Sequence, residues 1–327
     1  MSGMEGRSAG AAPAGAASAA YGGPGWSPRL APHRAEIGTL WGEGAIDSEW
    51  RPLRRVLLRA PGPEIEVAEA DAAQYLARPD PARAREEHAM LAEAYRAEGV
   101  EVLAVPDVAG PTPNRMFCAD LFVATPEGAI LARPASTVRA GEEVAVAQAL
   151  AGARVPILMT LTGGAVFEGA DLMWLDPATA LIGRGLRTNE AAIRQIAARL
   201  AEIGVETIAV DMPAGTMHLM GMLRILDRDL AVAWPRRTPH AAVEALRARG
   251  VAVAFLPDED EAQANRGLNA VTLGPRRILM PGGNPAMRRF YEGLGVAVAE
   301  TPMDELRKCA GAVGCLTGVV ARERAPA

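Results

Sequence analysis

A repeated order of secondary structure elements is the feature of this sequence that most restricts its fold. Between Leu53 and Ala299, short apolar strands alternate with helical stretches, and a β-hairpin, a helix and a further strand recur with a spacing of about fifty residues. An open, doubly wound sheet would lack the hairpins. Radial repetition around an axis explains them better. The sequence therefore predicts an α/β fold, a five-bladed, pseudo-symmetric α/β propeller of ββαβ units.

The units can be assigned from turn residues and periodicity. The first has a strand from Leu53 to Arg59, a helix from Ala82 to Glu98 and a strand from Val100 to Val105. The later units are fuller, with hairpins predicted over residues 117–133, 171–183, 218–234 and 268–280. The helices that follow are predicted at 141–151, 189–203, 239–249 and 285–294, and the closing strands at 155–159, 205–210, 251–256 and 296–299.

Composition sets the domain organisation. Of the 327 residues, 50% are apolar and 22% are charged, a balance typical of a globular chain with a sizeable core. Residues 1–34 are mainly Ala, Gly, Pro and Ser, which bury too little apolar surface to offset the entropy of ordering. We predict a disordered tail at 1–34 and a single α/β-propeller domain at 35–327.

Several functional classes are disfavoured. The net charge is −5, and basic runs with interleaved aromatic residues are absent, so nucleic acid is not expected as a partner. The sequence has neither an apolar stretch long enough for a membrane span nor a signal peptide at residues 1–30. We expect a cytoplasmic protein without a membrane partner. The three cysteines match neither a disulfide scaffold nor a structural zinc site.

Four short clusters carry the residue types of chemical catalysis. They are residues 117–120, 167–171 and 217–219, each of which opens a predicted unit, and residues 314–317 after the last helix. In a propeller, the turns that face the axis converge, so these clusters would meet. Cleavage of a guanidinium group needs a strong nucleophile, carboxylates that hold the cation and an acid that protonates the leaving amine. Cys, Asp, Glu and His supply that set, although none of them is specific alone.

In these clusters the sequence resembles the guanidino-group modifying enzymes, which include arginine deiminases, dimethylarginine dimethylaminohydrolases and arginine amidinotransferases. The similarity begins at residues 48–58, continues through residues 117–142 and ends at Cys315. Its most diagnostic stretch runs from Glu168 to Asn189. The resemblance implies the pentein-like, five-bladed propeller that the periodicity also indicates.

The resemblance also implies a catalytic set. Cys315 matches the nucleophile of the family, His218 the general acid and base, and Glu168 the carboxylate that pairs with the histidine or the guanidinium. Attack by the Cys315 thiolate would give a covalent thiouronium adduct, and His218 would protonate the leaving amine and then activate water or a second amine. Neither a metal nor an organic cofactor is required by this scheme.

A second group of residues would bind the substrate. Asp120 matches the residue that grips the guanidinium nitrogens, and Arg139 and Arg187 match the pair that holds the α-carboxylate, for which two guanidinium forks are suited. Asp171 and Asn114 are further candidates, although an acid or amide at a hairpin start commonly satisfies local backbone groups. The predicted partner is a small guanidino or amidino compound that carries a carboxylate. Subunit number stays open, with a homo-oligomer as one option.

Some positions depart from the family pattern or suit an ordinary structural role. Met220 stands where deiminases have a second guanidinium-binding Asp, which disfavours strict arginine deiminase activity. Ala119 stands where some members have an acid, and a site with fewer carboxylates favours a substituted or less basic amidine. Cys118, expected in a strand, and Cys309, expected in a helix, suit the protein core. Asn269 suits a local backbone contact at the start of a hairpin.

Three functions from different classes remain open. The first is a hydrolase that converts L-arginine or an N-substituted arginine to citrulline or a related product, with a variant that hydrolyses twice and gives ornithine. The second is an amidinotransferase that passes the amidino group from Cys315 to an acceptor amine. The third is a propeller that binds arginine-like ligands without turnover, or a purely structural platform. Product analysis with and without acceptor amines separates the first two.

Overall fold

The computed structural model describes residues 17–67, 69–106 and 112–324. Residues 1–16 of the predicted tail lie outside this range. Residues 17–32 are mostly exposed and contain a single turn of 3-10 helix, Ala19–Tyr21. The tail boundary at residue 34 and the single domain stay predictions.

The described residues contain fifteen strands and five helices of eight residues or more. The strands are β1 Leu53–Leu58, β2 Glu101–Ala104, β3 Phe122–Thr125, β4 Gly128–Leu131, β5 Ile157–Thr160, β6 Leu172–Asp176, β7 Thr179–Arg184, β8 Glu206–Asp211, β9 Leu223–Asp227, β10 Leu230–Ala233, β11 Ala252–Phe255, β12 Val271–Gly274, β13 Arg277–Pro281, β14 Ala297–Thr301 and β15 Gly318–Arg322. The longer helices are α1 Pro81–Ala97, α2 Glu143–Gly152, α3 Glu190–Glu202, α4 His240–Arg247 and α5 Pro285–Gly293. Shorter helices span His33–Glu36, Glu64–Val67, Ala70–Ala73, Asp260–Ala264 and Val313–Leu316.

Within the described residues, the strands form five three-stranded sheets, ordered β15-β1-β2, β3-β4-β5, β6-β7-β8, β9-β10-β11 and β12-β13-β14. In each sheet the middle strand pairs antiparallel with one neighbour and parallel with the other. A parallel pair needs a crossover connection, and one of the longer helices supplies it in every sheet. The α/β class is confirmed.

The first sheet differs from the prediction. Its antiparallel edge is β15, which comes from the other end of the sequence and pairs with β1 through Val56 and Val319. The sequence pattern does not predict a strand after Cys315, because this segment has no hairpin partner next to it in the sequence. The pairing brings the beginning and the end of the ordered chain into one sheet.

Local sequence explains where the helices begin. The Asp80 side chain accepts hydrogen bonds from the backbone N–H groups of Ala82 and Arg83 at the start of α1, and Asn189 caps α3 by accepting from Ala192. Asp and Asn are preferred at this position because they satisfy amides that have no partner within the helix. The helices therefore start within two residues of their predicted positions.

The core lies between the central strands and the helices. On β7, Ala180, Leu181 and Ile182 are fully buried, which is typical of a strand covered on both faces. Leu150 of α2 and Ile196 of α3 are buried against the sheets, and full burial of such a side chain stabilises the fold by about 2 kcal/mol. No helix in the described part of the chain is long and apolar enough to cross a membrane.

Short turns of 3-10 helix precede the first strand of three hairpins. They span Cys118–Asp120, Gly169–Asp171 and Leu219–Gly221, and they contact one another in that order. The expectation that Cys118 lies in a strand was wrong, because the amide of Leu121 donates to the Cys118 carbonyl and closes a tight turn there. These turns bring chemically active residues of different units together.

Candidate active site

A buried histidine–glutamate pair lies at the centre of the site. His218 Nε2 is 2.6 Å from Glu168 Oε2, and His218 Nδ1 is 3.7 Å from Asp120 Oδ1. Burial alone would lower the pKa of His218, but the charges of Asp120 and Asp171 and its contact with Glu168 raise it to about 9. Burial would likewise raise the pKa of Glu168, but its hydrogen bond to His218 and the nearby positive charges hold it well below its usual range. At neutral pH the pair is imidazolium and carboxylate.

Two arginines lie against these acids. Arg139 donates to Asp120 Oδ2 at 2.6 Å and to Glu142 Oε2 at 2.9 Å, and it lies 3.6 Å from Glu168. Arg187 donates to Glu168 Oε1 at 3.1 Å. Both predicted carboxylate-binding arginines are therefore in the site, but in this conformation their guanidinium groups are engaged by protein acids.

Glu142, which directly precedes α2, partly neutralises the charge of Arg139. Burial raises the pKa of Glu142 to about 7, although the charge and hydrogen bond of Arg139 oppose this rise. The negative charges around Arg139 outweigh the effect of its own burial and raise its pKa. The arginine thus stays charged while fully enclosed, which a buried guanidinium can do only with such partners.

Cys315 lies in the short helix Val313–Leu316 and is held by one side chain. Asn269 Nδ2 donates to Cys315 Sγ at 3.1 Å, and the Cys315 backbone N–H donates to Asn269 Oδ1 at 3.2 Å. Burial and the charge of Asp120 raise the pKa of the thiol, whereas hydrogen bonds and the Arg266 charge partly offset that rise. The two contacts with Asn269 fix the direction of the sulfur atom.

Glycine at position 314 permits this approach. A Cβ atom on Gly314 would lie 3.1 Å from both Asn269 Oδ1 and Met220 Sδ, which is closer than ordinary van der Waals contact. A side chain here would therefore push Asn269 away from the thiol.

Asp171 holds the turn that follows His218 in place. It accepts a hydrogen bond from the Thr188 hydroxyl at 2.6 Å and one from the Leu219 backbone N–H at 3.0 Å. It borders neither of the cavities that reach Cys315. In this structure it anchors the turn that carries His218, and its predicted contact with a substrate stays a prediction.

Cys315 borders two cavities of different size. The smaller, about 30 Å³, is also bordered by Asn114, Asp120, Arg139 and Arg187. Its volume leaves room for about one water molecule. Asn114 donates from Nδ2 to the Ala73 carbonyl at 2.8 Å, so this predicted residue both borders the cavity and contacts the backbone of a distant segment.

The larger cavity has a volume of about 940 Å³ and borders both Cys315 and His218. Met220, the residue that replaces a deiminase Asp, also borders it. A cavity of this size can hold a small organic ligand. The nucleophile and the acid therefore face one common space.

Asp120, Glu168 and His218 also offer donor atoms within 4.8 Å of one another, as a metal site would. Arg139 and Arg187 already lie against these carboxylates. Their positive charges neutralise the acids and would repel a divalent cation. The donor set therefore fits a site balanced by arginines better than it fits a metal centre.

Three further residues of the site were not recognised from the sequence. The sequence pattern predicts only a local backbone contact for Asn269, and it does not single out Arg237 or Arg266, which border the large cavity. The repeat offered a signal for Asn269, because it precedes β12 as Asp120 precedes β3. Arg237 and Arg266 lie in connecting segments with no motif around them.

Comparisons with known proteins agree with one another. Residues 77–241 match the family model described as N,N dimethylarginine dimethylhydrolase, eukaryotic. A dimethylarginine dimethylaminohydrolase from Streptomyces coelicolor is 27% identical over 266 residues, which cover 81% of this chain and 96% of that protein.

Two solved structures show the same fold. The first is a dimethylarginine dimethylaminohydrolase from Pseudomonas aeruginosa in complex with citrulline, with a TM-score of 0.67, 23% identity and coverage of 83% of this chain and 100% of that chain. The second is an amidinotransferase of saxitoxin biosynthesis from Microseira wollei, with a TM-score of 0.72, 15% identity and coverage of 86% and 98%. At such identities the likeness concerns the fold alone.

Proposed function

The chain belongs to the N,N-dimethylarginine dimethylhydrolase family, within the guanidino-group modifying enzymes, and from that premise we propose that it hydrolyses the guanidino C–N bond of L-arginine or an N-substituted arginine. The products are citrulline and ammonia or a substituted amine. The observation that carries the proposal is the common cavity of Cys315 and His218, with the thiol held by Asn269.

In the proposed reaction, Asp120 and Glu168 bind the guanidinium group. Asp120 Oδ1 is buried and has no hydrogen-bond partner among the described residues. A buried acceptor without a partner is costly, and a guanidinium N–H would satisfy it. Arg139 fills the space beside Asp120, so a substrate that binds there displaces its guanidinium. Arg139 and Arg187 then become available for the α-carboxylate of the substrate.

The chemistry uses Cys315 and His218 in two steps. The Cys315 thiolate attacks the central guanidinium carbon and forms a C–S bond, and the C–N bond to the departing amine breaks as His218 donates a proton to that nitrogen. His218 then takes a proton from water, which attacks the thiouronium carbon and releases Cys315. The positive charge of the bound substrate favours the thiolate, whose pKa burial has raised.

We also propose that the five sheets stand radially around a common axis as a propeller. Contacts between sheets that are neighbours in this arrangement support it, with β3 against β15, β9 against β12 and β12 against β1. The Trp174 indole N–H donates to the Ala124 carbonyl and links two further neighbours.

The test is mass spectrometry of the intact protein after rapid acid quench with L-arginine, N-methylated arginines or simple amidines. Wild-type protein is expected to gain the mass of an amidino adduct, and Cys315→Ser to gain none. If none of these compounds gives either an adduct or a product, the proposal is overturned. Transfer of the group to an added amine would instead favour the amidinotransferase.

A further inference from the structure

The large cavity is larger than a small departing amine requires. Its volume of about 940 Å³ far exceeds that of ammonia or dimethylamine. Its lining combines apolar side chains with charged ones. The apolar residues are Met217, Met220, Met222, Trp234 and Leu268.

Two arginines border the cavity and have no acid partner. Arg237 stacks on Trp234, with its Cζ atom 4.6 Å from the ring centre. Neither Arg237 nor Arg266 forms an ion pair with an acid in the described part of the chain, in contrast to Arg139 and Arg187. Asp260 also borders the cavity and is exposed. With two arginines against one aspartate, these three residues carry a net charge of +1.

Arg266 is held close to the nucleophile by its backbone. Its φ of 59° is in the left-handed region, which residues other than glycine adopt at a cost of about 1 kcal/mol. Its carbonyl accepts a hydrogen bond from the Asn269 backbone N–H at 2.8 Å. The turn from 266 to 269 thus joins the backbone of Arg266 to that of Asn269, whose side chain orients the Cys315 thiol.

The position of His218 indicates which part of a substrate would face this cavity. His218 borders the large cavity and not the small one, whereas Asp120, Arg139 and Arg187 border only the small one. The group that donates a proton to the departing nitrogen is therefore open to the large cavity. A substituent on that nitrogen would extend into it.

We propose that the large cavity is a subsite for the departing amine, and that it recognises an N-substituted guanidine whose substituent has an apolar stem and an anionic end, bound by Arg237 and Arg266. This inference rests on the proposed function and specifies its substrate class. The methionines contact the stem, and Arg237, supported by Trp234, contacts the anion.

The reaction conserves all atoms without an additional reactant. The Cys315 sulfur bonds to the guanidinium carbon, the bond to the substituted nitrogen breaks, and the electron pair of that bond stays on nitrogen. His218 supplies a proton to that nitrogen. The amine, whose substituent carries the anionic group, then leaves through the large cavity. Water then converts the thiouronium to citrulline and frees the thiol.

A matched pair of substrates tests the proposal. Nω-(2-carboxyethyl)-L-arginine and Nω-propyl-L-arginine have substituents with the same three-carbon skeleton, and only the first substituent is anionic. Release of β-alanine or propylamine is measured by chromatography and gives kcat/KM for each. Wild-type enzyme is expected to prefer the carboxyethyl compound by about tenfold to 100-fold, as for a charged hydrogen bond.

Two variants remove the proposed contacts. Arg237→Gln and Arg266→Gln are expected to reduce that preference to about threefold or less when combined. Arg236→Gln is the control, because this neighbouring arginine is exposed and does not border the cavity. Thermal unfolding of each variant verifies that it is folded.

The outcomes are distinct. Equal turnover of the two compounds by wild type, or a preference that survives both substitutions, overturns the subsite and leaves the proposed function standing. Absence of turnover and of a Cys315 adduct with both compounds, with L-arginine, with N-methylated arginines and with simple amidines overturns both proposals. Loss of the preference in Arg237→Gln but not in Arg236→Gln supports the subsite.

Discussion

The two sides of Cys315 are built on opposite principles. On one side, which we call the paired side, Asp120, Glu168, His218 and Arg139 are nearly fully buried and contact one another. On the other side, which we call the open side, Arg237 and Arg266 border the large cavity and have no acid partner within the described residues. Three methionines border the same cavity. The first side fixes its protonation states through internal contacts, and the second leaves charge available to a ligand.

The buried charges hold the catalytic groups in place before a substrate binds, whereas the arginines without an acid partner are available to recognise a ligand. A network of buried charges cannot lose one member without leaving another unpaired in a poorly solvated place. Substitutions on the paired side should therefore change catalysis, pKa values and stability together. Substitutions on the open side should change reactivity or specificity and leave the fold largely intact.

The largest expected effect is at the nucleophile. Cys315→Ser should lower kcat/KM for an N-substituted arginine at least about 10⁴-fold, because a serine hydroxyl is much less ionised and less nucleophilic than a thiol. Cys118→Ala is the control, since burial raises the pKa of Cys118 to about 12 and it borders neither cavity. A Cys315→Ser enzyme within tenfold of wild type would contradict covalent catalysis.

Glu168→Gln tests the paired side and should lower kcat by about 10²- to 10³-fold. The Glu168 carboxylate helps to raise the pKa of His218, so its removal lowers that pKa. His218 must be protonated to act as the acid, and the alkaline limb of the rate profile should therefore move to lower pH. An unchanged limb would mean that the pair does not control the protonation of His218.

Asp171 gives the paired side a pH-dependent stability. Burial raises the pKa of Asp171 to about 6, above its value in an unfolded chain. The resulting contribution to the stability of the folded protein is fully present below the unfolded pKa and is lost as pH rises through 6. The resulting loss is up to about 3 kcal/mol. Thermal unfolding between pH 4 and 7 should show a flatter pH dependence for Asp171→Asn. Parallel curves for the two proteins would contradict this expectation.

The smallest effect is expected at Asn269. Its hydrogen bond lowers the pKa of the Cys315 thiol, so Asn269→Ala should raise that pKa and slow alkylation of Cys315 by iodoacetamide at neutral pH by about tenfold. Asn189→Ala is the matched control, because it removes a helix cap at a cost of about 1 kcal/mol and should leave alkylation unchanged. Equal alkylation rates in the two variants would show that Asn269 does not activate the thiol.

Much of the fold followed from local sequence. Hairpin turns and helix caps such as Asp80 and Asn189 act on neighbouring residues, so their effect can be predicted without knowing the tertiary structure. The strand β15 was missed because its partner β1 is distant in the sequence. Its pairing depends on how the whole chain folds.

The residue types at the site were likewise visible in the sequence, and their partners were not. Cys315, His218, Glu168 and Asp120 were selected as candidates from the clusters and the family resemblance, and the structure brings the last three together with Arg139. The contact of Arg139 with Asp120 and the contacts of Asn269 with Cys315 could not be predicted from the sequence, since both depend on how side chains pack in the folded chain.

By itself, the sequence determined the order of strands and helices and the chemical groups available for catalysis, because periodicity, turns and side-chain chemistry are local properties. Only the tertiary structure decided that the pKa of His218 rises to about 9, that Arg139 faces acids and that Arg237 and Arg266 share a cavity with Cys315. Burial and charge separation act through space, and their magnitudes are set once distant segments have packed together.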